Sequence, residues 1–100
     1  MYQTLLLHAE NGILTISINR PDKLNALNKI VFDELNKALD ELENDASLKS
    51  AIITGSGPKA FVAGADISEF SGLTKEQAMQ LAKRGQDTFF RIENSSKPIV

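Results

Sequence analysis

The chain has 100 residues, 42% hydrophobic and 24% charged, and eleven basic against thirteen acidic side chains leave a net charge of −2. That length holds one modest core and excludes two separate ones. With no cysteine, one histidine, five Phe, one Tyr and no Trp, the composition excludes a disulfide framework, a thiolate zinc site or a histidine-built metal centre, and it argues against nucleic acid as a partner.

Apolar runs such as Leu5-Leu6-Leu7 and Ala60-Phe61-Val62-Ala63 fall far short of the roughly 20 residues of a membrane-spanning helix. The N-terminus carries neither a basic n-region nor a cleavage pattern, so the expected location is the cytoplasm. In chain order, the apolar Leu5-Leu6-Leu7 precedes Glu10-Asn11-Gly12, and residues 13–19 then alternate Leu14, Ile16 and Ile18 with Thr15 and Ser17. Asn-Gly tolerates positive φ at both central turn positions, so this pattern predicts a β-hairpin with one buried face. Pro21 ends the second strand, and Asn28 is the expected N-cap of a helix running to about Glu43. Val31, Leu35, Ala38, Leu39 and Leu42 recur at helical spacing. Lys29, Asp33, Glu34, Lys37, Asp40 and Glu41 read as its solvated face, with i,i+4 pairs such as Asp33–Lys37.

Ala51-Ile52-Ile53-Thr54 is a short apolar run, as expected of a strand buried on both faces, and Gly55-Ser56-Gly57-Pro58 breaks it. Thr74 and Gln77 form a capping box that opens a second helix. Its expected apolar stripe is Ala78, Leu81, Ala82, Gly85, Phe89 and Ile92. Ser95-Ser96-Lys97-Pro98 ends it, and Ile99-Val100 starts a new extended element. Strand, strand, helix, strand, loop, helix and strand start together predict an α/β fold.

Three stretches bear on chemistry. Gly55-Ser56-Gly57-Pro58-Lys59-Ala60 fits G-x-G-x-x-A after a strand, but a dinucleotide site needs a helix opening inside the motif, and Pro58 with the residues after it do not read as one. His8 lies in the first strand with no G-x-S-x-G elbow in the chain, so no serine triad can form. The run Ala63-Gly64-Ala65 lets a ligand approach the backbone, and Asp66 is placed to cap a short helical turn after it. Free N–H groups near Ala65 would then point outward and suit a carbonyl oxygen that gains charge in a transition state. A plain structural loop explains the same composition.

Asn19-Arg20-Pro21-Asp22-Lys23-Leu24-Asn25-Ala26-Leu27 resembles the NRP-x-x-x-NAL segment of the crotonase (enoyl-CoA hydratase/isomerase) superfamily. The stretch from Lys59 through Ala63-Gly64-Ala65-Asp66-Ile67 to Phe70 resembles its KAF-x-AGADI-x-E segment, and Lys97-Pro98-Ile99-Val100 also matches. The resemblance is closest to short-chain enoyl-CoA hydratase and spans essentially the whole chain. It implies a crotonase-like spiral of ββα units, with residues 1–100 as the N-terminal portion of the domain. The implied reaction is reversible hydration of the 2,3 double bond of an acyl-CoA thioester, as in fatty-acid β-oxidation. Acyl-CoA would be the substrate, with no further cofactor, and the assembly a homotrimer or hexamer.

Residue by residue, the resemblance makes the Ala65 N–H the first oxyanion donor. It puts Ala65, Asp66, Ile67 and Ser68 at the thioester end, and Lys23, Leu24 and Ala26 against the CoA nucleotide. The family's second donor and its two catalytic glutamates fall after the position of Val100, and Asp66 and Glu69 do not replace them. The hundred residues alone are therefore expected to be inactive. Alternatives are another superfamily activity, such as isomerase or acyl-CoA hydrolase, or a non-catalytic folding or assembly unit.

Overall fold

The computed structural model describes residues 2–100. Strands β1 (Leu5–Glu10) and β2 (Ile13–Ile18) pair antiparallel from Leu5 opposite Ile18 to Glu10 opposite Ile13. The turn between them holds Asn11 at φ 54° and Gly12 at φ 78°, which is the left-handed pair that the Asn-Gly sequence predicts. A 3-10 turn at Pro21–Lys23 leads into α1 (Lys29–Asn44). The Asn28 side chain accepts the Val31 N–H and starts that helix.

The chain returns as β3 (Ser50–Gly55), parallel to β2. After a 3-10 turn at Ile67–Phe70 comes α2 (Lys75–Glu93), opened by the Thr74–Gln77 capping box. Residues 98–100 then lie parallel along β3: Ala51 N–H donates to the Pro98 carbonyl and Val100 N–H to that of Ala51, both at 3.0 Å. Each helix thus links two parallel strands, the layering expected of an α/β fold.

One core lies between the sheet and α1. Leu5, Leu14, Ile16 and Ile18 meet Val31, Leu35, Ala38 and Leu42 there. Alternation along β2 produces this: Leu14, Ile16 and Ile18 face inward, and Thr15 and Ser17 face the other way. β3 departs from the expectation of burial on both faces. Ala51 is buried against the core, but Ile52 is 40% exposed, because α1 covers only one side of the sheet.

Two further expectations are corrected. Glu34 does not belong to the solvated face of α1. It is buried and accepts hydrogen bonds from Gln3 N–H (2.6 Å), Thr4 N–H (2.7 Å) and the Thr4 hydroxyl (2.5 Å). Asp33 pairs with Lys29 at 2.7 Å and Arg84 at 3.2 Å rather than with Lys37. The Arg84 contact reveals how α2 docks. Arg84, Thr88 and Arg91, spaced on one helix face, meet Asp33, Asn36 and Asp40 of α1. Gly85 lies in the same face against the Phe32 ring. The expected apolar stripe is therefore only partly inward: Gly85 is buried, while Phe89 meets Phe32 edge-on (5.7 Å, 76°) and stays 51% exposed. Among the described residues, no helix is long and apolar enough to cross a membrane.

Candidate active site

Two loops build the site, and a buried asparagine joins them. Leu24 and Asn25 both take positive φ, 53° and 58°, a conformation asparagine tolerates better than most residues. It turns the Asn25 side chain inward, where it is only 1% exposed. Its Oδ1 accepts the Arg20 N–H (2.9 Å), and its Nδ2 donates to the Ser56 and Ala60 carbonyls, each at 2.9 Å. The loop of residues 20–27 is thereby fastened to the loop that follows β3. Gly55 makes the close approach possible. A Cβ there would lie 2.3 Å from the Phe61 carbonyl oxygen and 2.8 Å from Asn25 Nδ2.

The loops also pair directly. Ala63 N–H donates to Leu24 O (3.0 Å), Leu27 N–H to Gly64 O (2.8 Å) and Asp66 N–H to Leu27 O (2.8 Å). These bonds form a parallel bridge between Leu27 and Ala65. In such a bridge the residues flanking Ala65 make the bonds, so the N–H of Ala65 itself is directed away from Leu27. Among the described residues it has no backbone acceptor. This is the geometry of an available donor on a fixed peptide.

Asp66 holds the next turn, as its N-cap position predicts. Its Oδ1 accepts the Ser68 hydroxyl (2.5 Å) and the Ser68 N–H (3.1 Å). Its Oδ2 lies 3.2 Å from Arg20 Nη1. The Ser68 hydroxyl, opposed by partial burial and helped by the Ser68 N–H and Arg20, holds the Asp66 carboxyl below its ordinary value. Asp66 is thus an ionised anchor, already committed to two partners. Glu69 is committed too: its carboxylate accepts the Lys29 N–H at 2.8 Å and completes the N-terminal cap of α1.

Beside Ala65 opens an apolar cavity of about 170 Å³, walled by Leu27, Phe32, Phe70, Leu81 and Phe89 among others. Of the residues expected at the thioester end, the structure places Ala65 on this wall. Asp66 lies behind it, held by Arg20 and Ser68. Ile67 is 83% exposed, and the Ser68 hydroxyl turns back to Asp66. Lys23 and Leu24 are exposed on the neighbouring loop, and the Ala26 carbonyl accepts from Arg20 Nη1 at 2.5 Å.

In the sequence, Arg20 and Asn25 have a place in a motif but no individual role, and Gly55 reads as a strand breaker and a glycine of the G-x-G-x-x-A pattern rather than as the point of close approach. The one available signal was a buried-type demand on a polar residue: an asparagine followed at once by Ala26-Leu27, where a turn needs positive φ. The G-x-G-x-x-A segment leads into loop, and the next α-helix opens only at Lys75; no helix N-terminus faces a would-be pyrophosphate. His8 is exposed on β1, 3.4 Å from Glu10.

Comparison with known proteins gives a consistent picture. A family model described as enoyl-CoA hydratase/isomerase matches residues 8–100. A short-chain-enoyl-CoA hydratase of Clostridium acetobutylicum is 38% identical over 96 residues, which are 96% of this chain and 37% of that protein. A crotonyl-CoA hydratase of Syntrophomonas wolfei subsp. wolfei is 38% identical over 99 residues, 99% of this chain and 38% of that one. The crystal structure of an enoyl-CoA hydratase from Bacillus anthracis superposes with a TM-score of 0.90 at 31% identity, covering 97% of this chain and 38% of that chain. The crotonase-like α/β fold implied by the resemblance is therefore the fold observed. The chain spans under two-fifths of the length of these relatives.

Proposed function

This chain belongs to the enoyl-CoA hydratase/isomerase family, and on that premise we propose that its protein reversibly hydrates the 2,3 double bond of an acyl-CoA thioester. The observation that carries the proposal is the Ala65 peptide: its N–H is free of Leu27, fixed by flanking bonds, and set beside an apolar cavity. As hydroxide adds at C3, the thioester carbonyl gains enolate character. A preorganised N–H stabilises that oxygen without rearranging, and one such donor is typically worth about 3–4 kcal/mol in the transition state. The cavity beside it suits the hydrocarbon end of a short acyl chain.

Lys23, Leu24 and Ala26 take the CoA nucleotide in this reading. The Lys23 ammonium is free to meet a phosphate at the rim, and the exposed loop backbone can read the adenine edge. Asp66 and Glu69 do no acid–base work in this reading: Asp66 is bound by the Ser68 N–H and hydroxyl and by Arg20, and Glu69 caps α1 through the Lys29 N–H. This reading assigns no second oxyanion donor and no water-activating carboxylate among the described residues. Fatty-acid β-oxidation supplies substrates of this class.

The test is hydration of crotonyl-CoA by the full-length protein, followed by loss of the conjugated thioester absorbance. Saturable hydration is the expected result. Double-bond migration or thioester hydrolysis in its place would assign another activity of the family and overturn this one.

A further inference from the structure

We propose that Arg20 is a positioning residue that couples the CoA-binding loop to the oxyanion donor, so that binding of the nucleotide end is felt at the thioester carbonyl. The inference rests on the function proposed above. One guanidinium nitrogen, Nη1, donates to the Ala26 carbonyl at 2.5 Å and to Asp66 Oδ2 at 3.2 Å. Ala26 belongs to the segment assigned to the nucleotide, and Asp66 is bonded to Leu27 and directly follows Ala65.

The arrangement differs from a surface ion pair. Both side chains are only 15% exposed, and Arg20 is itself held: its N–H donates to Asn25, and its carbonyl accepts from Lys23 and Asn25. The two loops are also joined by Asn25 to the Ser56 and Ala60 carbonyls and by backbone bonds of Leu24 and Leu27, but Arg20 is the side chain that ties the Ala26 carbonyl to the Asp66 carboxylate. A shift of Ala26 on nucleotide binding pulls on Nη1 and so on Asp66, whose peptide adjoins the Gly64–Ala65 peptide that carries the Ala65 N–H and is held at the Gly64 carbonyl by Leu27. Catalysis is sensitive to such aim; a displacement of about 1 Å in a reacting group typically lowers a rate about 100-fold. Binding energy from a remote part of a substrate raises kcat only when something transmits it to the reacting centre. Arg20 is the side chain that touches both ends, alongside the backbone bridge of Leu27.

The experiment compares two thioesters carrying the same enoyl group, one of CoA and one of pantetheine, which lacks the nucleotide. It uses the full-length protein and its Arg20→Met and Asp66→Asn variants. Asp66→Asn keeps the Oδ1 acceptor for Ser68, so the turn at Ile67–Phe70 is retained while the ion pair is lost. The wild type is expected to turn over the CoA thioester with a kcat about tenfold or more above that of the pantetheine thioester. In both variants the two kcat values are expected to converge to within about twofold, with the CoA value falling. A role in folding alone would lower thermal stability and leave the ratio at its wild-type value, which would overturn the proposal. A wild-type ratio near one would overturn it as well. Failure of the wild type to hydrate either thioester would instead refute the function proposed above.

Discussion

At the scale of single residues, buried polar side chains determine where the loops go. Asn25 makes three hydrogen bonds to backbone groups of two loops, and Glu34 fastens the residues ahead of β1 through two backbone N–H groups and the Thr4 hydroxyl. Burial pushes the Glu34 carboxyl up, but the Thr4 hydroxyl and the N–H groups of Gln3 and Thr4 outweigh it and hold the group below its usual value of 4.5. A depressed carboxylate stabilises the fold above its unfolded-state pKa and loses that contribution as pH falls through the folded value. Glu34→Gln is therefore expected to lower stability at pH 7 by about 1–3 kcal/mol, since one amide N–H would face backbone donors. Urea unfolding at pH 7 and at progressively lower pH is expected to show the gap to wild type narrowing below pH 4.5. A gap independent of pH would contradict this assignment.

At the scale of elements, periodicity was a good guide wherever one face met the core. The β1–β2 hairpin, the Asn28 cap, α1 and the Thr74–Gln77 box all follow from local pattern. The pattern misled at α2, because its docking face is polar: Arg84, Thr88 and Arg91 carry it, and only a partner helix with Asp33, Asn36 and Asp40 at matching positions makes that face inward. No property of α2 alone announces such a partner. Gly85 is the fixed point of this contact, since a Cβ there would come within 3.0 Å of Phe32 Cζ. Gly85→Val is expected to destabilise the protein by about 1–3 kcal/mol through overpacking. It would also disturb the edge-on Phe32–Phe89 pair beside the cavity. Thermal unfolding measures the first effect, and an unchanged midpoint would show that α2 docks without this contact.

At the scale of the whole molecule, two distant segments had to meet before a site existed. Residues 19–27 and 59–70 were legible as motifs through their resemblance to a family, and the small-residue run before Asp66 hinted at an accessible backbone. What joins them was not legible. The Asn25 bonds to Ser56 and Ala60 and the Arg20–Asp66 pair all span more than 30 positions of the chain, and the room left by Gly55 serves one of them. Local pattern carries no trace of contacts at that separation. The same folding explains why Asp66 and Glu69, the carboxylates nearest Ala65 in sequence, are structural: both are taken up in capping turns before any substrate arrives.

The central claim is that the Ala65 N–H is the donor to a thioester carbonyl. Its most direct test is the amide resonance of Ala65 in full-length protein labelled with 15N-alanine, followed during titration with a saturated acyl-CoA. A saturable downfield shift of that amide proton is expected, larger than for the other alanines and absent with CoA that carries no acyl group. Saturable binding of the acyl-CoA that leaves the Ala65 amide proton unmoved would contradict the account.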